Sequence, residues 1–396
     1  MKKIILLIIF GFFTSRSFSQ NTFPSSGSVG IGTTSPTKIL DIVGNGLNLQ
    51  NTSHASQNGI IFKNGSPFIS NFNYGNNGTV TTSGSNIFIG INSGNMTMGS
   101  TAIASNESSY NIGLGPNTLS LNTTGYYNIA AGYGSLYNNT TGNNNISIGY
   151  QALYYNTTGY ENVAIGFDAL IENSVGEGNS AVGFESLFYT TGSYNTATGY
   201  KTFSYNTAGS YNTTIGYYAG RSIANGSNNT TSNNSVFVGA NTKPLASGDD
   251  NEIIIGYNGV GAGSNSVVLG NTAITKTLLQ GDVGIGTAAP QSKLAVNGTV
   301  TAKQVKVTQT GWPDYVFQPG YHLPNLSTLE SFIGKEHHLP GIPTEEEIKD
   351  KGLDLGEMQK KEMQKIEELT LLLIQQQHEI DSLTSFIKNH VLQIQP

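Results

Sequence analysis

From residue 85 to residue 275 the apolar positions come in short triplets, each closed by glycine. Examples are Asn86-Ile87-Phe88-Ile89-Gly90, Asn162-Val163-Ala164-Ile165-Gly166, Ser235-Val236-Phe237-Val238-Gly239 and Glu252-Ile253-Ile254-Ile255-Gly256. Side chains alternate along a strand, so Val163 and Ile165 share one strand face. In the central block Asn111, Asn128, Asn145, Asn162, Asn179, Asn195 and Asn212 each stand four residues before a glycine, at a spacing of 17 residues except for one step of 16. Leu119, Leu136, Leu153, Leu170, Leu187 and then Phe203 come four residues after those glycines. Turns repeat as Asn122-Thr123-Thr124-Gly125, Asn139-Thr140-Thr141-Gly142 and Asn156-Thr157-Thr158-Gly159. Self-similarity at a fixed short period signals a repeat architecture. Seventeen residues are too few for two helices and a turn but suffice for two short strands and two turns, one coil of a parallel β-solenoid. With coils about 4.8 Å apart, seven of them make a rod segment about 30 Å long. Identical residues then lie one above another, so the asparagines can form a ladder of side-chain amides, and glycine at the corner permits positive φ.

The residue after most of these glycines is aromatic: Tyr133, Tyr150, Phe167, Phe184, Tyr200 and Tyr217. Facing solvent, this stripe could stack on sugar rings, since an aromatic face packs against apolar C–H groups. Facing inward, it would be core or an interface between chains. The Asn-Thr-Thr-Gly turns predict a second, polar stripe. The phrase Val29-Gly30-Ile31-Gly32-Thr33-Thr34-Ser35-Pro36 returns as Val283-Gly284-Ile285-Gly286-Thr287-Ala288-Ala289-Pro290 and brackets the repeats. A dinucleotide loop is a poor reading of it, because the third glycine is missing and proline stands where a helix should be under way. A strand and turn that begin and end the solenoid fits better.

From about residue 311 the charge rises and the repeats stop. Trp312-Pro313-Asp314-Tyr315-Val316-Phe317 and His337-His338-Leu339-Pro340-Gly341-Ile342-Pro343 frame a proline-punctuated segment, with a short helix predicted over Leu326–Ile333. Thr344 before Glu345-Glu346-Glu347 reads as an N-cap with an acidic first turn. The last helix is predicted over Leu355–Val391, about 55 Å at 1.5 Å per residue. Ile366, Leu373, Ile380, Ile387 and Ile394 recur every seven residues, with Leu369, Gln376 and Leu383 three further on. That is the seam of a coiled coil. Isoleucine at the first seam position suits two or three strands, and glutamine at the second is better housed in a wider core.

Asn265-Ser266-Val267-Val268-Leu269-Gly270-Asn271 resembles the head repeat of trimeric autotransporter adhesins, and Asn162-Val163-Ala164-Ile165-Gly166 is a variant of it. The resemblance covers roughly residues 85–275 and implies a left-handed parallel β-roll with three chains packed side by side. The main period here is longer than the family's, and the C-terminal region reads as helix rather than as membrane-anchoring barrel strands. The Trp-Pro-Asp-Tyr-Val-Phe and His-Leu-Pro-Gly-Ile-Pro phrases resemble the C-terminal module of secreted bacterial tail-fibre-like proteins, which sits beside a coiled coil.

Composition narrows the chemistry. Charged residues are 11 % of the chain, less than half the usual share, and with 49 glycines the alternatives are disorder or stacked repeats; the regular spacing favours stacking. A net charge of −6 offers no basic face, so nucleic acid is not an expected partner. Lys2 and Lys3, the apolar run Ile4–Phe13 and the small-x-small exit Ser17-Phe18-Ser19 read as a secretory signal peptide. With no cysteine beside the cleavage site, no lipid anchor is expected there. His337 and His338 lack any metal-ligand spacing, and no serine stands in a nucleophile elbow. No enzyme activity and no cofactor is expected.

The expected division is a signal peptide over 1–19, an N-terminal β segment over 20–84, the solenoid head over 85–275, a closing β segment over 276–310, the proline-punctuated module over 311–343, and helix with coiled coil over 344–396. The expected function is a secreted or surface-exposed, adhesin-like homotrimeric fibre, with a glycan or other surface ligand as a possible partner. A purely structural shaft and a tail-spike-like protein with a C-terminal assembly chaperone are the alternatives.

Overall fold

The computed structural model describes residues 29–31, 40–42 and 59–391; the signal-peptide reading and Ile394 lie outside them. Two compact units, divided after Thr277, are described separately. The first is built on one 13-stranded sheet. Strands β1 (Val29–Ile31) and β2 (Leu40–Ile42) pair only with each other, in parallel. A hairpin of β3 (Ile61–Lys63) and β4 (Ser66–Ser70) closes one end of the main sheet. It joins antiparallel to β5 (Ile87–Ile89), shielding an edge that would otherwise offer unpaired backbone groups. From there every neighbour is parallel: β6 (Ile112–Leu114), β7 (Ile129–Ala131), β8 (Ile146–Ile148), β9 (Val163–Ile165), β10 (Ser180–Val182), β11 (Thr196–Thr198), β12 (Thr213–Ile215), β13 (Val236–Val238), β14 (Ile253–Ile255) and β15 (Val267–Leu269). The expected parallel β-solenoid is present.

Each coil holds one strand, not the expected two. The residues two and four places after the corner glycine have left-handed backbones: Gln151 and Leu153 at φ +51° and +49°, Asp168 and Leu170 at +53° and +52°. A left-handed residue at every second position cannot propagate an extended strand. Coil-to-coil bonding continues there regardless, with Leu153 N donating to Ala169 O (3.0 Å) and Leu170 N to Ser186 O (3.0 Å). A left-handed leucine costs about 1–2 kcal/mol. Full burial of its side chain, worth about 1.5–3 kcal/mol, offsets that, and Leu119, Leu136, Leu153, Leu170 and Leu187 are all fully buried.

The inward strand residue is the middle one. Ala130, Ala164, Ala181 and Ala197 are fully buried, while Val163 and Ile165 share the outward face. Small strand residues leave room for the leucine column. Where the strand residue is large, glycine makes the room instead. A Cβ on Gly94 would lie 2.6 Å from the Phe88 ring, and one on Gly220 would lie 2.6 Å from Phe237. The single 16-residue step falls in the turn, where Thr190-Thr191-Gly192 is one residue shorter than Asn173-Ser174-Val175-Gly176. Register through the strands is therefore kept, with Ser180 opposite Thr196 and Ala181 opposite Ala197.

The asparagine ladder is the interior counterpart. Asn111, Asn128, Asn145, Asn162, Asn179, Asn195 and Asn212 are at most 1 % exposed. Asn162 Nδ2 donates to Asn145 Oδ1 (3.2 Å) and to Gly176 O (2.8 Å), and its main-chain N–H donates to the same Oδ1 (3.0 Å). The pattern repeats from Asn111, which bonds Asn86, to Asn212, whose Oδ1 accepts from Ser235 N. The Asn-Thr-Thr-Gly turns are less of a surface stripe than expected. Asn122, Asn139, Asn156 and Asn173 are fully buried in a second amide ladder, and Thr123, Thr140 and Thr157 hydroxyls each donate to a main-chain carbonyl of the next coil at 2.9 Å.

In the second unit the returning phrase forms β16 (Val283–Ile285) and β17 (Leu294–Val296), paired in parallel with the same register as β1 and β2. Each copy is thus a two-stranded sheet of its own rather than a terminal strand of the main sheet. A 3-10 helix over Pro313–Phe317 buries Val316, and α1 (Leu326–Glu336) starts at Asn325, whose side chain accepts from Thr328 N. Helix α2 (Glu345–Lys351) has the expected cap in full: Thr344 Oγ1 accepts from Glu347 N, and Glu347 Oε2 accepts from Thr344 N. Helix α3 spans Leu355–Val391, as expected.

The corner glycines sit at φ +119° to +145° between Gly132 and Gly199, backbone to backbone. A Cβ on Gly149 would stand 2.1 Å from Gly166 O, whereas one on Gly134 would meet side chains alone, the Tyr154 ring at 3.1 Å and Gln151 Cγ at 3.5 Å. Gly149→Ala should therefore lower the unfolding free energy by roughly 2–4 kcal/mol, and Gly134→Ala by about 1 kcal/mol, the cost of a left-handed alanine. Urea titrations of both variants, followed by circular dichroism, check the contrast.

Candidate functional site

The residue after each corner glycine points out of the coil. Tyr133, Tyr150, Phe167, Tyr200 and Tyr217 are 41–49 % exposed, and Phe184 is half-buried. Their six rings form one column with centroids 4.8–5.5 Å apart and planes within 15° of parallel. The stripe thus stands at the surface of the single chain, and each interior ring has both faces covered by its neighbours. Stacking of a sugar on a ring face, the mode expected of a solvent-facing stripe, is blocked within the column; ring edges and tyrosine hydroxyls are what it presents. Shorter stacks repeat the arrangement, as in Tyr110–Tyr127 and Tyr137–Tyr154.

Beside this column lies the outward strand face, which the sequence reading did not single out. Ile148, Ile165, Ile215 and Ile255 are 38–44 % exposed, and Val267 and Leu269 more so. Strand alternation could have found it, once the middle residue of each triplet was assigned to the core. Contiguous apolar surface of more than a few hundred Å² marks an interaction site on a soluble protein.

Helix α3 carries a second uncovered apolar line. Ile366, Leu369, Leu373, Ile380, Leu383 and Ile387 are 54–60 % exposed, and Gln376 in the same line is exposed too. The proline-punctuated module takes a different face of the helix. Tyr315 Oη donates to Gln364 Oε1 (3.0 Å), Tyr321 Oη donates to Glu368, and Leu372 is 7 % exposed. Ile366 and Leu369 line a cleft with Pro324, Leu329 and Leu339 of the module, yet more than half of each stays exposed in the single chain.

A fourth feature was also missed. A cleft of about 230 Å³ opens on the solenoid between Asp168, Glu185, Lys201 and Arg221. Lys201 and Arg221 are the only lysine or arginine residues between positions 64 and 242. Glu185 Oε2 pairs with Lys201 Nζ at 2.9 Å. Arg221 Nη2 donates to Tyr205 Oη (2.8 Å), and its guanidinium carbon lies 4.5 and 4.7 Å from the Tyr205 and Tyr218 ring centres. Aligning the repeats on their glycines would have revealed the column, because Gln151, Asp168, Glu185 and Lys201 succeed one another at one position.

Among the described residues no group of three or more histidine, cysteine or acidic side chains is gathered to hold a metal ion, and no helix is long and apolar enough to cross a membrane. Comparison with protein-family models, with curated proteins and with solved structures finds no match.

Burial, and then the Glu185 charge, push the Asp168 carboxyl up from 3.8 to about 6. A carboxyl raised in the folded state favours folding when protonated. That contribution is complete below the ordinary value and is lost as pH rises through about 6. Lys201 and Arg221 line the same cleft, and solvent screening reduces the effect. Asp168→Asn should raise stability at about pH 8 by about 1 kcal/mol and flatten the rise that the wild type shows on acidification towards about pH 5. Thermal unfolding of both proteins across that range reads it out.

Proposed function

We propose that this chain is a secreted, non-catalytic, adhesin-like fibre protein that works as a homotrimer and presents a repetitive solenoid surface for attachment. The observation that carries the reading is the pair of uncovered apolar faces in a single chain, one along the solenoid strands and one along α3. The two faces ask for the same occupant. A heptad seam is matched by another copy of itself, and a seam that gathers copies also raises the effective concentration of the linked solenoid faces. The resemblance to trimeric adhesin heads, in which chains pack side by side, supports three as the number. Secretion rests on the reading of residues 1–19. The absence of enzyme chemistry rests on the lack of any recognised catalytic motif.

The aromatic column at Tyr133, Tyr150, Phe167, Phe184, Tyr200 and Tyr217 is the proposed attachment stripe, working through its edges. The alternative of a purely structural shaft draws on one observation: the asparagine ladders and threonine hydroxyls bond internally, and the ring faces cover one another. A surface satisfied in this way can serve as an inert spacer. The tail-spike-like alternative gains nothing comparable.

Light scattering of the mature protein, with and without residues 344–396, tests the assembly. The full chain should have three times the chain mass and the truncated one should dissociate; a monomer in both forms would sink the proposal. Ile148→Lys with Ile165→Lys and Ile215→Lys should weaken the full-chain assembly, read as a fall in mass on dilution, without altering its circular dichroism. Tyr150→Ser, Phe167→Ser and Phe184→Ser together should abolish attachment while leaving the assembly mass unchanged, and retained attachment would count against the aromatic stripe.

A further inference from the structure

Among the described residues of the solenoid, Ser70 Oγ, Asn173 Oδ1 and Glu252 Oε2 are unmet one at a time, whereas the cleft around Asp168 gathers two unmet polar atoms. Most other amides and hydroxyls of the repeats close on the next coil. Here the Asp168 Oδ1 and Arg221 Nε atoms are both buried and without a hydrogen-bond partner. Arg221 is held by its bond to Tyr205 and by the rings of Tyr205 and Tyr218, and Asp168 stands on a left-handed backbone at φ +53°. Glu185 and Lys201 neutralise one another between them. Phe188 and Tyr189, whose rings meet edge to face at 4.6 Å, add an apolar wall.

A ligand that satisfies this cleft must donate to a carboxylate, accept from a guanidinium and offer C–H surface to aromatic walls. It needs no net charge, because the two acids and two bases of the cleft balance. Ring hydroxyls both donate and accept, and a pyranose ring carries apolar C–H faces. Asp168 and Arg221 belong to coils three steps apart, about 14 Å along the stack at the usual strand spacing. A single sugar ring is too short to reach both, whereas two or three linked rings laid along the coil axis reach each in turn.

We propose that this cleft binds a short stretch of neutral glycan, with Asp168 accepting from one sugar hydroxyl and Arg221 donating to another. The site deepens the attachment reading and rests on it for its role, but its chemistry is separate from that of the aromatic column.

The test uses the full mature chain and four probes: maltotriose, cellotriose, triacetylchitotriose and mannotriose, each titrated by calorimetry and by saturation-transfer NMR. At least one should bind. Asp168→Asn and Arg221→Gln should each weaken that binding by about tenfold or more, the effect expected for one hydrogen bond to a charged group. Asp168→Asn removes an awkward charge without changing shape, so it keeps the test sound even if Arg221→Gln disturbs folding. Ile103→Ser, at an exposed position outside both the cleft and the aromatic column, should change the affinity less than about twofold, as expected for a surface change away from the contact. No binding of any probe, or binding that survives Asp168→Asn unchanged, overturns the assignment. Should surface attachment persist while all four probes fail, the cleft falls and the attachment reading stands. Loss of attachment in the triple aromatic variant with saccharide binding intact would support two separate surfaces.

Discussion

A buried asparagine amide carries two donor hydrogens and an oxygen able to accept twice, and leaving them unmet costs about 1–3 kcal/mol per group. In this solenoid identical residues in the same register of the neighbouring coils, together with a glycine carbonyl, meet those needs. Asn145 Oδ1 takes both the main-chain and the side-chain N–H of Asn162, and the second amide hydrogen of Asn162 goes to Gly176 O. Register is thus enforced by polar groups more than by apolar ones. A slip of one residue would strand a whole column of amides without partners, and the strands, only three residues long, could not hold the register alone.

The other columns follow from that constraint. Because coils must superimpose at asparagine, the corner glycines are brought backbone to backbone, which excludes any side chain there. Leucine is then forced into a left-handed conformation that its own burial sustains. The volume left inside is shared between strand and turn residues, alanine with leucine in the middle coils, phenylalanine with glycine at the ends. The ladder ends where its chemistry changes. Ser235 replaces asparagine and accepts from Glu252 N, and Glu252, itself fully buried, places one oxygen on Gly263 N and leaves the other unmet. Burial raises its carboxyl above the ordinary value.

Much of this was legible because repetition amplifies weak signals. The 17-residue period gave the solenoid, the asparagine column and the corner glycines, and cap chemistry at Thr344 located α2. Two things were not legible. The second strand expected in each coil is absent because positions such as Gln151 and Leu153 have positive φ, and neither residue type advertises that; only context imposes it. The side of the triplet facing inward was equally hidden. Val163 and Ile165 are more apolar than Ala164, yet alanine is the core residue because the leucine column fills the space a larger one would need. The cleft escaped for the opposite reason: it breaks the repeat, and reading for similarity looks past the few coils that differ.

The same internal closure bears on function. A solenoid whose amides, hydroxyls and ring faces bond to the next coil has little left with which to recognise anything, which by itself would suit a spacer. What remains open is therefore informative. The outward strand face and the α3 seam are largely apolar, broken by Thr196 and Thr198 in the one and by Gln376 in the other, and the proposed occupant of both is a copy of the same chain. The cleft at Asp168 is polar and local, confined to coils where charge interrupts the columns, the property of a site for a small, distinct ligand. In the proposed reading self-assembly draws on what the repeat preserves, and recognition on a place where the repeat is given up.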